Sequence, residues 1–163
     1  MKLLHFILGV AFCVTLSSCG RSYPPLSEEH PKYETNAVVK ALRHNKIGVY
    51  YNTPYCQENK ILGAYDRRHE YVEICVDTHV GYDSGEIYDT IRHEAVHVMQ
   101  DCIGGTVYSE AQIREWAIKE DLEFVMDEYN HRDHGIELEA VVMARKYSDE
   151  QIAKMLYNFC INN

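Results

Sequence analysis

The chain of 163 residues has no surplus of positive charge: 16 Lys and Arg stand against 25 Asp and Glu, a formal net charge of −9. A protein that grips phosphates needs a basic face, so this balance argues against a nucleic-acid partner. Beyond the first twenty positions there is no apolar run of the roughly 18 residues that a membrane-spanning helix requires. Internal repeats and low-complexity tracts are also missing. Hydrophobic residues make up 46% and charged residues 25% of the chain, close to globular averages, which leaves no compositional ground for long disorder. A length of this size fits one domain. What the chain does hold in unusual number is sulfur and imidazole, with six Cys and nine His.

Residues 1–20 have the pattern of an export signal. A basic start at Lys2 precedes an almost wholly apolar stretch over residues 3–16, too short to span a membrane and ending in small residues. Its end, Leu16-Ser17-Ser18-Cys19, resembles the lipobox of bacterial lipoproteins, in which cleavage precedes a lipid-modified cysteine. The resemblance implies a signal peptide over 1–18, lipidation of Cys19, a tether over 19–27 containing Pro24-Pro25, and a folded domain over 28–163. It also implies an exported protein held by a lipid anchor at the cell envelope, on the periplasmic or outer-surface side. Ordinary signal cleavage with an unmodified Cys19 is the alternative. Removing the first 18 of the 163 residues leaves 145.

Export changes what the cysteines mean. Cys56, Cys75, Cys102 and Cys160 remain after Cys13 is discarded and Cys19 is lipidated. Four cysteines in an oxidising compartment suggest two disulfides, for which three connectivities exist. Cys56–Cys75, closing a local hairpin, and Cys102–Cys160, tying the last helix to the central one, are the favoured pairs. Four buried free thiols are the alternative.

The hydrophobic periodicity predicts a helix over 28–44 and strands over 47–52, 61–65 and 71–76. After residues 81–85 the period becomes helical, with Asp83 or Ser84 as cap, and the helix runs to about Cys102 before Gly104-Gly105. Ser109-x-x-Gln112 and Ser148-x-x-Gln151 are capping boxes that open two further helices, the first reaching Val125. Another helix is expected over 135–147. A helix, three strands and four helices make an α+β domain.

The central helix carries His93-Glu94-Ala95-Val96-His97, an HExxH motif. Residues at i and i+4 share one helical face, so both imidazoles can reach one metal. Zinc favours nitrogen ligands, and a catalytic zinc keeps one position open for water. Glu94 is placed to take a proton from that water. On a helical wheel Ile87, Ile91, Ala95, Val98 and Cys102 form a core-facing stripe, with His93 and His97 roughly opposite. Two solvated histidines on a polar face are the simpler alternative.

A third ligand is needed. The metzincin extension requires Gly three residues and His six residues after the second histidine, but Gln100 and Ile103 stand there. The chain instead resembles a minimal gluzincin-type HExxH metallopeptidase domain, in which a later helix carries Glu followed by Ala and a small residue four positions on. Glu139-Ala140-x-x-x-Ala144 matches that pattern. The resemblance implies a zincin-like fold over about residues 47–160, Zn2+ held by His93, His97 and Glu139, and Glu94 as general base. Glu137 is the reserve ligand. One side chain among Tyr129, His131 and His134 would donate to the oxyanion. The activity implied is zinc-dependent hydrolysis of a peptide or protein substrate by a monomer at the envelope. Two other readings stay open: a zinc-binding envelope lipoprotein without catalysis, with His131 or His134 closing the coordination sphere, and a structural lipoprotein without metal.

Overall fold

The computed structural model describes residues 30–79 and 84–160. The signal peptide, Cys19, the tether and the expected cap Asp83 lie outside those residues. The helices are α1 (Pro31–Glu34), α2 (Ala37–His44), α3 (Pro54–Asn59), α4 (Ser84–Ile103), α5 (Glu110–Trp116), α6 (Lys119–Glu128), α7 (His134–Lys146) and α8 (Asp149–Cys160). The strands are β1 (Gly48–Tyr51), β2 (Gly63–Asp66) and β3 (Tyr71–Ile74). The class is α+β, mostly helical with one small sheet.

Two expected helices are each broken in two. Asn36 interrupts the first, because its side chain accepts from Val38 N and Val39 N and so starts α2 afresh. The stretch after Ser109 is cut at Ala117, whose extended backbone (ψ 136°) ends α5. Asp121 then accepts from Ile118 N at the start of α6. The Ser109–Gln112 capping box forms as its sequence indicates. Helix α3 has no counterpart in the periodicity. It begins where Thr53-Pro54 ends β1, since proline at a first helical position costs no hydrogen bond.

The sheet has the order β1-β3-β2, with β1 parallel and β2 antiparallel to β3. Its core face is closed by Val49, Tyr51, Val72 and Ile74, which share one cluster with Val38 and Leu42 of α2, Ile91, Ala95 and Met99 of α4, and Ile152 and Leu156 of α8. Helix α4 therefore lies at the centre, against α2, α7, α8, β2 and β3. Its expected stripe of Ile87, Ile91, Ala95 and Val98 is buried, and so are Val96 and Met99, because α7 and α8 cover the flanks that a surface helix would leave wet. A second, smaller core of Ile113, Val125, Leu138 and Val142 joins α5, α6 and α7.

Both disulfides, Cys56–Cys75 and Cys102–Cys160, are formed. The first ties α3 to the end of β3 rather than closing a hairpin; the second ties the ends of α4 and α8. Such bonds belong to an exported protein. Arg92 adds a polar clasp, donating to Ala144 O (2.7 Å) and to Asp149 Oδ1 (2.5 Å) where α7 turns into α8. Among the described residues no helix is long and apolar enough to cross a membrane.

Candidate metal centre

One turn of α4 separates His93 from His97, and their Nε2 atoms face each other at 3.0 Å. Helix α7 brings the third group. Glu137 Oε2 lies 3.3 Å from both nitrogens. That oxygen is buried and accepts no aligned hydrogen bond. Buried polar atoms are rarely left so, and each exception needs a reason. A tetrahedral zinc with ligands at about 2.0–2.1 Å would space its ligand atoms about 3.3–3.4 Å apart. The triangle of 3.0, 3.3 and 3.3 Å therefore fits a zinc ion, as do the ligand types.

Glu139 is not at this triangle. Two residues along a helix turn the side chain by about 200°, so Glu137 and Glu139 cannot face the same way. Glu139 is wholly buried on a different face of α7. Its Oε2 accepts from Gln100 Nε2 (2.9 Å) and Val107 N (3.0 Å), and its Oε1 from Tyr108 N (2.7 Å). The ligand position expected for Glu139 is thus taken by Glu137, and the pattern of Glu before Ala marks a buried anchor instead.

Charge at the triangle is finely divided in the metal-free protein. Burial opposes a proton on His97, but the Glu137 carboxylate and the Glu94 charge outweigh it and hold the imidazole at about 9. Burial likewise opposes ionisation of Glu137, yet the two imidazoles bring it down to about 2. Glu94 behaves differently. Burial pushes its carboxyl up, against the pull of His93 and His97. A buried carboxyl with a raised pKa, one residue from His93, is suited to hold and release protons.

Strand β2 sets the position of Glu94. The backbone N–H of Tyr65 lies near its carboxylate and favours the charged form. Gly63 allows this approach, since a Cβ there would lie 2.7 Å from Thr90 Cγ2 and 3.0 Å from Glu94 Oε1. Tyr65 is anchored in turn through its hydroxyl, which donates to Asp101 Oδ2 at 3.0 Å.

The triangle opens into a cavity of about 680 Å³ lined by β2, α4 and the start of α7, including Tyr65, Glu94, Gln100, Tyr129 and Glu137. A second cavity of about 770 Å³ shares Gly63, His93, Glu94 and Tyr129 with it and continues past Leu62 and Phe124. The cleft therefore passes on both sides of Glu94. Of the three expected oxyanion donors, Tyr129 lines this cleft, near the Glu137 carboxylate. Burial, then Glu137 and Glu94, push the Tyr129 phenol far above its ordinary range. His131 is exposed, and His134 is turned to the carbonyl of Tyr129 (Nε2 to O 2.9 Å). Neither lines the cleft nor joins the cluster of His93, His97 and Glu137 found among the described residues, because the turn before α7 faces them away.

The resemblance implies a strand hairpin beside the cleft that includes Gly63-Ala64-Tyr65-Asp66, but the sequence assigns no individual role to Gln100, Gly63 or the Tyr65 amide. Gln100 served only to break the metzincin pattern, although its place three residues after His97 on the same helical face was a usable signal. The contribution of β2 comes from its main chain and from a missing side chain, for which no residue-type signal exists.

No curated protein and no solved structure matches this chain. The model of the family described as Domain of unknown function (DUF8637) matches residues 25–161, which span every element from α1 to α8 and every group of the candidate metal centre, and the chain belongs to that family.

Proposed function

We propose that the chain is a zinc-dependent peptide-bond hydrolase with a zincin-like, gluzincin-type site. The observation that carries this reading is the triangle of His93 Nε2, His97 Nε2 and the otherwise unpartnered Glu137 Oε2, beside Glu94 and open to a cleft. Zinc, when bound by these three residues, supplies Lewis acidity that activates water near neutral pH and polarises a carbonyl. The rest falls to the chain. Glu94 takes the proton of the attacking water and delivers it to the amine nitrogen as the peptide bond breaks. The Tyr65 amide holds the Glu94 carboxylate in place meanwhile. Tyr129, the phenol on the cleft wall, donates to the oxyanion. A cleft that continues on both sides of Glu94 suits an extended peptide rather than a compact ligand. The two disulfides support export, and a lipid on Cys19 would keep this site at the envelope.

Zinc content and hydrolysis of an unstructured protein substrate test the proposal together. The parent should hold one zinc per chain and cleave. Glu94→Gln should hold the same zinc and lose hydrolysis by about 10²-fold or more. A parent purified with zinc present that retains none would refute the site, and a Glu94→Gln variant as fast as the parent would refute the base.

A further inference from the structure

We propose that Gln100 and Glu139 are positioning residues of the metal centre: acting through Gln100, the Glu139 carboxylate holds His97 in the tautomer that turns a bare Nε2 toward Glu137. The inference rests on the zinc reading above and goes beyond it to the groups that orient a ligand.

The chain of hydrogen bonds begins at two main-chain amides, Val107 N and Tyr108 N, in the turn after α4. A main-chain amide can only donate, so both require the acceptor that Glu139 provides. Glu139 Oε2 also receives Gln100 Nε2 at 2.9 Å, and the same nitrogen donates to Ile136 O at 3.0 Å. Both partners of that nitrogen are acceptors, so the amide of Gln100 has only one workable orientation. Its Oε1 is thereby turned to His97 Nδ1, 2.8 Å away. An amide oxygen cannot donate, so His97 Nδ1 carries the hydrogen. In the neutral ring Nε2 is then the unprotonated nitrogen, and it is the one that faces Glu137 and His93. Gln100 is 6% and Glu139 0% exposed, so both links are largely shielded from bulk water.

The arrangement also explains why α7 carries two glutamates two residues apart. Glu137 offers a ligand atom, and Glu139, on a different face, fixes the orientation of a ligand on α4. One rigid helix thereby sets both.

Three variants test this: Gln100→Leu, Glu139→Gln, and the exchanged pair Gln100→Glu with Glu139→Gln. In the exchanged pair a carboxylate accepts from His97 Nδ1 and the new amide donates back to it, so the link to His97 is restored while Val107 N, as in Glu139→Gln alone, lacks its acceptor and Ile136 O loses its donor. Zinc affinity is read by competition with a chromophoric chelator. The His97 Nδ1 proton is read by NMR as a slowly exchanging resonance of the zinc-loaded protein. Gln100→Leu is expected to weaken zinc by about 10- to 100-fold and to lose the protected proton, while metal-free protein keeps its helical circular dichroism. The exchanged pair is expected to bind more tightly than Glu139→Gln alone, within about tenfold of the parent. Parental affinity in Gln100→Leu, in a parent that binds zinc, overturns this inference and leaves the zinc site standing. Should Gln100→Leu not fold, an exchanged pair no better than Glu139→Gln overturns it instead. A parent that binds no zinc overturns the metal reading and this inference together.

Discussion

Two glutamates on one helix should respond to substitution in opposite ways. Glu139→Ala removes an acceptor from three donors at once, namely Gln100 Nε2, Val107 N and Tyr108 N. Hydrogen bonds to an ionised group are worth about 1.5–3 kcal/mol each, and donors left buried and unpaired cost more than their share. The site is wholly buried, and the three effects are not additive, so a loss of about 3–5 kcal/mol is expected. A domain of about 130 residues has an unfolding entropy near 0.27 kcal/mol/K, which converts that loss to a fall in Tm of about 11–18 °C. Glu137→Ala removes a carboxylate whose neighbours are two imidazoles. At about pH 10, above the value of about 9 that Glu137 helps to give His97, that imidazole is neutral with or without its partner, so little ion-pair stability is lost and Tm should change by about 4 °C or less. The assay is thermal unfolding of chelator-treated protein at that pH, beside zinc content of untreated protein. Glu137→Ala should lose zinc and keep Tm, whereas Glu139→Ala should lose Tm and keep zinc in the molecules that remain folded, at reduced affinity. Complete loss of zinc with unchanged Tm in Glu139→Ala would refute the assignment, because it would mean that Glu139 and not Glu137 holds the metal.

Other expectations follow from single contacts. Replacing Cys102 and Cys160 by Ala opens a closure spanning 58 residues, and replacing Cys56 and Cys75 opens one spanning 19. Loop entropy gives about 4 and about 3 kcal/mol respectively, so each pair should lower Tm by about 10–15 °C, as read by calorimetry. Glu73 is buried on β3, where burial raises its carboxyl above the ordinary 4.5 while a hydrogen bond from Thr53 opposes the rise. The folded state therefore keeps a proton that the unfolded chain has lost. The stability this provides is complete below pH 4.5 and falls as pH rises through the folded value. Glu73→Gln should accordingly raise Tm at about pH 7 and lose that advantage at about pH 4; an equal effect at both pH values would count against a buried charge. Gly63→Ala would drive a Cβ toward Thr90 and Glu94 and should slow hydrolysis by about 10²-fold while zinc content is kept. Undiminished hydrolysis would show that β2 does not position Glu94.

The parts legible in the sequence are those fixed by short-range chemistry. The strands, the long helix through His93 and His97, the Ser109 capping box and both disulfides follow from periodicity, caps and cysteine parity. Breaks within helices were harder to see, since Asn36 and Ala117 interrupt runs whose apolar spacing continues across them. Helix α3 buries one residue, Cys56, and so it leaves almost no periodic trace. Its attachment to β3 comes from the disulfide rather than from an apolar face.

The choice between Glu137 and Glu139 shows where local pattern stops being informative. Both sit on α7, both precede an apolar residue, and a helical wheel places them on different faces without saying which face meets α4 at the histidines. The answer lies in what each face finds. The Glu139 side meets the turn after α4, where Gly104 adopts φ 72° and the main chain leaves the amides of Val107 and Tyr108 in need of an acceptor. A carboxylate is the side chain that can serve both amides and a glutamine donor together. Once Glu139 is committed there, the helix turns Glu137 toward His93 and His97, and its oxygen arrives with no protein donor aligned to it. The need for backbone hydrogen bonds in a buried turn thus selects which glutamate faces the two histidines.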